Sequence, residues 1–297
     1  MARAAEHEDG RPGDEAVGTL YVVATPIGNL EDVTLRALEV LKRADAIAAE
    51  DTRVTAKLLG HYGIGAKKMI ALHEHNETRA APAIIAELAR GRSVALTSDA
   101  GTPAFSDPGA RLVAAVREAG FRVVPVPGPT AAAAALSASG VTGPQFLFYG
   151  FLPARGGERR KTLEALAPSR YAVVFYEAPH RVVETVDDLA AIFGESRRLV
   201  IARELTKLFE TIHVCALGVA VAWLSEDVNR TKGEFVLIVE GAPEDRDATL
   251  TRGRHALEIL LGELPVKQAA ALAARISGAR KNELYELALQ LKREGER

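Results

Sequence analysis

The sequence predicts an α/β protein of two lobes, a parallel sheet covered on both faces and then a mixed sheet, followed by a small helical module. Three observations carry that expectation. Short apolar runs alternate with amphipathic stretches from Thr19 to the alanine run at 131–135, which is the texture of a covered parallel sheet. The alternation breaks at Ser137-Ala-Ser-Gly-Val-Thr-Gly-Pro144, a concentration of turn formers, and resumes with fewer helices per strand. Beyond residue 250 helical spacing recurs with no strand between.

The first lobe reads as residues 19–140. Its strands are Leu20–Ala24, Ala46–Ala49, Met69–Leu72, Val94–Leu96 and Arg122–Pro125, with helical patterns at Thr34–Arg43, Ala81–Leu88 and Arg111–Ala119. The second lobe, 141–243, reads as strands Phe146–Tyr149, Tyr171–Tyr176, Leu199–Ala202, Phe209–Val214 and Phe235–Val239, with a helix from Arg181 to Phe193. A polar linker at 241–247 leads to a module over 250–297 with helices at Ala256–Leu261, Lys267–Arg275 and Lys281–Arg293. Residues 1–18 hold five acids against two arginines and no periodic apolar face, the composition of a disordered tail.

Composition narrows the function classes. With 297 residues, 48% hydrophobic and 26% charged, the chain is an ordinary globular protein with enough length for a sizeable core. The single cysteine, Cys215, excludes an internal disulfide, a redox pair and a cysteine zinc cage, and with no apolar leader or spanning segment it predicts a cytoplasmic protein away from membranes. A net charge of -2 gives no global sign of nucleic-acid binding, so charge must be read locally. Residues 251–297 carry nine Lys or Arg against six Glu, and Arg155-Gly-Gly-Glu-Arg-Arg-Lys161 packs four cations into seven residues of a glycine-bearing segment that reads as a mobile loop.

Familiar signatures are missing. There is no Gly-Lys pair for a phosphate loop, Gly63-Ile-Gly65 lacks the third glycine of a dinucleotide fingerprint, and no Gly-x-Ser-x-Gly elbow exists. His73-Glu-His-Asn-Glu77 has Glu where a zincin needs its second His, so no metal site is expected. What is present is a series of dense strand-end loops. Strand one runs into Thr25-Pro-Ile-Gly-Asn-Leu30, strand four into Thr97-Ser-Asp-Ala-Gly-Thr-Pro-Ala-Phe-Ser-Asp-Pro-Gly109, and strand five into Pro125-Val-Pro-Gly-Pro-Thr130, with Thr130 at a helix N-cap. The carboxyl ends of parallel strands are where open α/β sheets bind ligands, so the three loops point to one rim. Within the strand-four loop, Asp107 or Ser106 reads as the cap of the next helix.

These blocks, with Glu50-Asp-Thr-Arg53, Gly150-Phe-Leu-Pro153, Tyr176-Glu-Ala-Pro-His-Arg181, Arg203-Glu-Leu-Thr-Lys207 and Lys232-Gly-Glu234, resemble the ribosomal RNA small subunit methyltransferase I family, within the tetrapyrrole methylase fold group. The resemblance runs nearly end to end. It implies a class III S-adenosylmethionine-dependent methyltransferase fold, S-adenosyl-L-methionine held between two lobes, a homodimer, and a decoding-region cytidine of 16S rRNA as the 2'-O-methylation target, whether on bare RNA or on the small subunit. By the same resemblance Ile27, Gly28, Asp99, Ala100, Gly101, Thr102, Thr130 and Ala131 would contact the cofactor from the first lobe. Tyr176, Ala178, Glu204, Leu205, Gly233 and Glu234 would close over it from the second. Relatives acting on tetrapyrroles open with Gly-x-Gly-Pro-Gly-Asp, where this chain has Thr25-Pro-Ile-Gly-Asn-Leu30. A tetrapyrrole-type methylase and a non-catalytic RNA-binding assembly factor are the competing readings.

A ribose hydroxyl is a weak nucleophile and calls for a general base or a cation beside the developing alkoxide. The residues leave several candidates: Glu50, Asp51 and Glu177 as base, Lys207 as cation. For Glu50-Asp-Thr-Arg53 a helix start capped by Asp51 or Thr52, with Arg53 in an ion pair, stands equally well. RNA contact would fall to Arg155, Arg159, Arg160 and Lys161, with Arg181 and Arg203 nearer the cleft. Aromatics at 5% make recognition by shape and backbone the expectation.

Overall fold

In the computed structural model, which describes residues 18–73, 76–143, 145–243 and 246–295, the first sheet is built from β1 (Thr19–Val23), β2 (Ala46–Ala49), β3 (Lys68–Ala71), β4 (Val94–Thr97) and β5 (Arg122–Val126). All are parallel, in the order β3-β2-β4-β1-β5. Every residue of β2 and β4 is buried, because α1 (Leu35–Arg43), α2 (Thr52–His61), α3 (Glu77–Ala89) and α4 (Ala110–Glu118) supply apolar cover to the two faces. β1 sits between β4 and β5, which brings the three dense loops side by side at the carboxyl edge.

The alanine run forms α5 (Ala131–Ala138), and its role is packing. Ala132 and Ala135 lie in one apolar cluster with Ile27 and with Val174, Val200, Val236 and Ile238 of the second sheet; side chains this small let a helix backbone lie close against strands. The second sheet comprises β6 (Phe146–Phe151), β7 (Ala172–Glu177), β8 (Arg198–Arg203), β9 (Thr211–Ala216) and β10 (Phe235–Val239), in the order β6-β7-β10-β8-β9. Only β6 and β7 among its pairs are parallel, so the sheet is mixed as expected. β10 is central and buried along its whole length, which explains its unbroken Phe-Val-Leu-Ile-Val. The outer face is covered by α6 (Gly156–Leu166), α7 (Val182–Phe193) and α8 (Leu217–Ser225) around Leu163, Phe175, Leu189 and Leu224.

The strand and helix expectations hold with corrected edges. The segment expected to be a mobile basic loop is largely helical, since α6 begins at Gly156. The disordered tail was expected over 1–18; residues 1–17 lie outside the described residues, and Gly18 is buried. Among the described residues, those up to 167 with 171–240 form one compact unit, and 168–170 with those from 241 onward a second. In the second, α9 (Arg246–Leu261), α10 (Val266–Ser277) and α11 (Lys281–Gly295) pack around Leu257, Ala269, Ala270, Ala273, Leu284 and Ala288. α9 starts well before Ala256, the expected start. Among the described residues no helix is long and apolar enough to cross a membrane.

Candidate active site

Hydrogen bonds lace the strand-end loops into one structure. Thr25 and Gly101 exchange backbone bonds of 2.8 and 3.1 Å, the Thr25 hydroxyl donates to the Ser98 carbonyl at 3.2 Å, and Thr102 Oγ1 donates to the Pro129 carbonyl at 3.0 Å. The second sheet meets them through Tyr176, whose phenol oxygen accepts the Ala132 amide at 3.2 Å beside the Thr130 hydroxyl. Between these groups lies a cavity of about 310 Å³.

Its walls have a clear chemical division. Ile27, Ala100, Phe105, Phe151, Leu205 and Val236 make an apolar slot, while Thr102, Thr130, Tyr176 and the start of α5 bring hydroxyls and amide edges. Three carboxylates, Asp107, Glu177 and Glu234, complete it. Of the expected cofactor residues, Ile27, Ala100, Gly101, Thr102, Thr130, Ala131, Tyr176, Ala178, Leu205 and Glu234 are brought to this cavity. Gly28 and Asp99 instead line a neighbouring cavity of about 310 Å³ that shares Ile27, Ala100 and Glu234. Gly233 lines neither and lies against the Glu204 carboxylate. Gly28 is required sterically: a Cβ there would lie 2.6 Å from Lys207 Cγ and 2.7 Å from Thr206 Oγ1. The close approach lets the Asn29 amide donate to Thr206 Oγ1 at 3.0 Å, joining the β1 loop to the β8–β9 loop.

The expected catalytic groups separate in the structure. Asp51 caps α2, its Oδ1 accepting the Arg53 amide at 2.8 Å, and the Arg53 guanidinium grips the same carboxylate, holding it down to about 2. It is a helix cap, and so poor a base cannot take a proton at neutral pH. The β2 and β4 loops are tied in both directions: Glu50 Oε2 accepts the Asp99 amide at 3.2 Å and Asp99 Oδ1 accepts the Asp51 amide at 3.0 Å. Burial raises both above the usual carboxylate range, but Glu50 lines neither cavity. Glu177 lines the first cavity with its oxygens committed, Oε1 to the Ala178 amide at 2.8 Å and Oε2 to the Thr185 hydroxyl at 2.7 Å, with Arg181 Nε 3.3 Å away. Lys207 Nζ is 2.9 Å from both Glu204 and Glu234; burial pulls its pKa down, but the two carboxylates outweigh it and hold it above the ordinary lysine value.

Several basic residues expected to meet RNA face inward. Arg159 is completely buried on α6, with Nε 2.6 Å from Asp188 and Nη2 2.7 Å from Glu184. Arg181 donates to the carbonyls of Leu152 and Pro153, and Arg203 to those of Asn229, Lys232 and Phe209. Those three tie the second lobe together, because a guanidinium can satisfy several carbonyls at once. Arg160 is exposed but bonded to Asp188 at 2.6 Å, leaving Arg155 and Lys161 as the outward members of the basic segment. Asp107 is a cavity residue the sequence did not assign to the site: α4 is capped at Gly109, so Asp107 is free of the capping role expected for it. The sign was its place in a thirteen-residue loop too polar for a connection.

Comparison with known proteins agrees with this architecture. The model of the Tetrapyrrole (Corrin/Porphyrin) Methylases matches residues 19–220, and that of the RsmI C-terminal HTH domain matches 247–292. The chain is 52% identical over 277 residues to the ribosomal RNA small subunit methyltransferase I of Escherichia coli O157:H7, covering 93% of this chain and 96% of that one. It is 50% identical to the protein of the same name from Haemophilus influenzae, covering 93% and 98%. Among solved structures, a uroporphyrin-III-C-methyltransferase from Thermus thermophilus shares the fold with a TM-score of 0.55 at 22% identity, covering 76% of this chain and 95% of that one. A cobalt precorrin-4 methyltransferase does so at 0.56 and 15%, again covering 76% and 95%. Sheet order, strand-end site and these matches together place the chain in the tetrapyrrole methylase family, as a member of its ribosomal RNA small subunit methyltransferase I branch.

Proposed function

We propose that the protein transfers a methyl group from S-adenosyl-L-methionine to the ribose 2'-oxygen of a cytidine in the decoding region of small-subunit ribosomal RNA. The observation that carries the reading is the first cavity. An apolar slot suits an adenine, hydroxyls and the α5 amide edge suit a ribose and an amino-acid group, and three carboxylates suit a cationic donor. Ile27, Phe105 and Leu205 would pack the flat part of the donor, and Thr102, Thr130 and Tyr176 would orient its polar parts. When bound, the donor supplies an electrophilic methyl carbon on a positively charged sulfur. The chain's own task is to exclude water and hold the ribose oxygen in line with that carbon.

Names of relatives at about 50% identity over nearly the whole chain support an rRNA substrate. The exposed Arg155 and Lys161 and the basic balance of the C-terminal module, whose matching model is called a helix-turn-helix, support contact with RNA phosphates. A homodimer working in the cytoplasm completes the proposal. The test is methyl incorporation from labelled donor into small subunits of a strain lacking this activity, compared with naked 16S RNA and with a corrin precursor, the product mapped by nuclease digestion. Label on a cytidine 2'-oxygen is the expected result. Label on the corrin alone, or none on either RNA form while the chain binds the donor, overturns the proposal.

A further inference from the structure

The expected candidates leave the proton of the 2'-hydroxyl without an acceptor. Asp51 is locked to Arg53, Glu50 lies outside the cavity, Glu177 has both oxygens occupied, and Glu234 is paired with Lys207 at 2.9 Å. Asp107 lines the same cavity, and among the described residues it has no cationic partner; the side chain bonded to it is Ser98. Its loop is held firmly in place. The Phe105 ring stacks on Phe148 of β6 at 4.2 Å, and Ser106 packs where Gly150, at φ +83°, leaves room; a Cβ there would lie 2.5 Å from Ser106 Oγ. Ala104 and Ser106 stand at φ +65° and +66°, left-handed conformations unusual for residues with a Cβ. Such strain persists only where the surroundings over-determine it, and here it lies in the residues leading into Asp107.

We infer that Asp107 is the general base of the transfer, taking the proton of the substrate's 2'-hydroxyl; the inference rests on the ribose methylation proposed above. The atoms and charges balance. As the ribose oxygen bonds to the methyl carbon, the carbon–sulfur bond breaks and its electron pair stays on sulfur, cancelling the sulfonium charge. The hydroxyl proton passes to the Asp107 carboxylate and from there to solvent. Surroundings tune the group for this work: burial first, then the charges of Glu50 and Asp99, raise Asp107 to about 6, with the Ser98 hydrogen bond opposing. Tyr176, Glu177 and Glu234 line the same cavity, and the Lys207 ammonium is spent on Glu204 and Glu234. A carboxylate near 6 is ionised at neutral pH yet is a far better proton acceptor than Asp51.

The experiment compares the full-length chain with Asp107→Asn in three measurements. A carbon-13 carboxyl titration without donor should show one resonance with a midpoint near 6 that the variant lacks. Single-turnover methylation of small subunits by the parent should rise with pH through that midpoint. The variant should be slower by about 100-fold or more and lose that limb. Donor binding by calorimetry should weaken far less than the transfer slows, because Glu177 and Glu234 keep their places in the cavity. Folding supplies a control of opposite sign: a raised carboxyl stabilises most when protonated and loses that contribution as pH rises through its folded value, so above pH 6 the variant should melt no lower than the parent. Should the Asn variant fail to fold, Asp107→Glu must slow the transfer and move the pH limb. A variant that transfers at the parental rate with the parental limb, or a titration showing an ordinary aspartate, overturns the assignment alone. A parent inert toward small subunits overturns the ribose reading and the assignment together.

Discussion

Replacing Arg159 with methionine is expected to damage folding and leave the RNA surface unchanged, and the magnitude follows from its surroundings. The guanidinium has no solvent exposure, its Nε lies 2.6 Å from Asp188 Oδ2, and Asp188 is itself only 4% exposed. Removing one member of a buried pair typically costs about 3–5 kcal/mol, because the remaining charge stays desolvated. Arg160 also holds Asp188, at 2.6 Å, and so keeps the orphaned carboxylate partly satisfied. The lower end, about 3 kcal/mol, is therefore expected, a fall in melting temperature of roughly 6–12 °C for a domain of this size. Thermal and urea denaturation measure the loss. The double variant Arg159→Met with Asp188→Leu, which removes both charges, should recover most of it. RNA affinity of the folded fraction should match the parent. A single variant that melts with the parent and binds RNA more weakly would refute the buried-pair reasoning and return Arg159 to the RNA surface.

Gly28→Val should force apart the β1 and β8–β9 loops, since the new side chain meets Thr206, Lys207 and the Leu205 carbonyl. A destabilisation of about 1–3 kcal/mol by urea denaturation, with weaker donor binding by calorimetry, is expected; parental values in both would show that the loops part freely. Arg155→Gln with Lys161→Gln should lower affinity for 16S RNA and reduce the slope of log affinity against log salt by roughly one to two, at unchanged stability. Equal slopes would remove this helix start from the interface.

The α/β plan with two sheets, the five strands of the first and the dense loops at their carboxyl ends were legible in the sequence because each is a local matter. Apolar runs of strand length, helical spacing and glycine- and proline-rich strand ends announce themselves within a dozen residues. The quoted blocks carried the family for the same reason: they are contiguous. Most expected cofactor residues line the cavity because they lie within those blocks.

Only the tertiary structure decided which charges face water and which face one another. In 155–161 the density of cations concealed a helix on which Arg159 and Leu163, four apart, point inward, and the partners that make a buried arginine tolerable lie beyond residue 180. In the sequence Arg203 looks like a phosphate contact because nothing local shows that three carbonyls surround it. In the sequence Asp107 looks like a helix cap because its neighbours are turn formers; its loop packs against Phe148 and Gly150, more than forty residues away. Periodicity and turn chemistry act between neighbours in the chain. Desolvation and charge pairing act between neighbours in space, and only folding decides who those are.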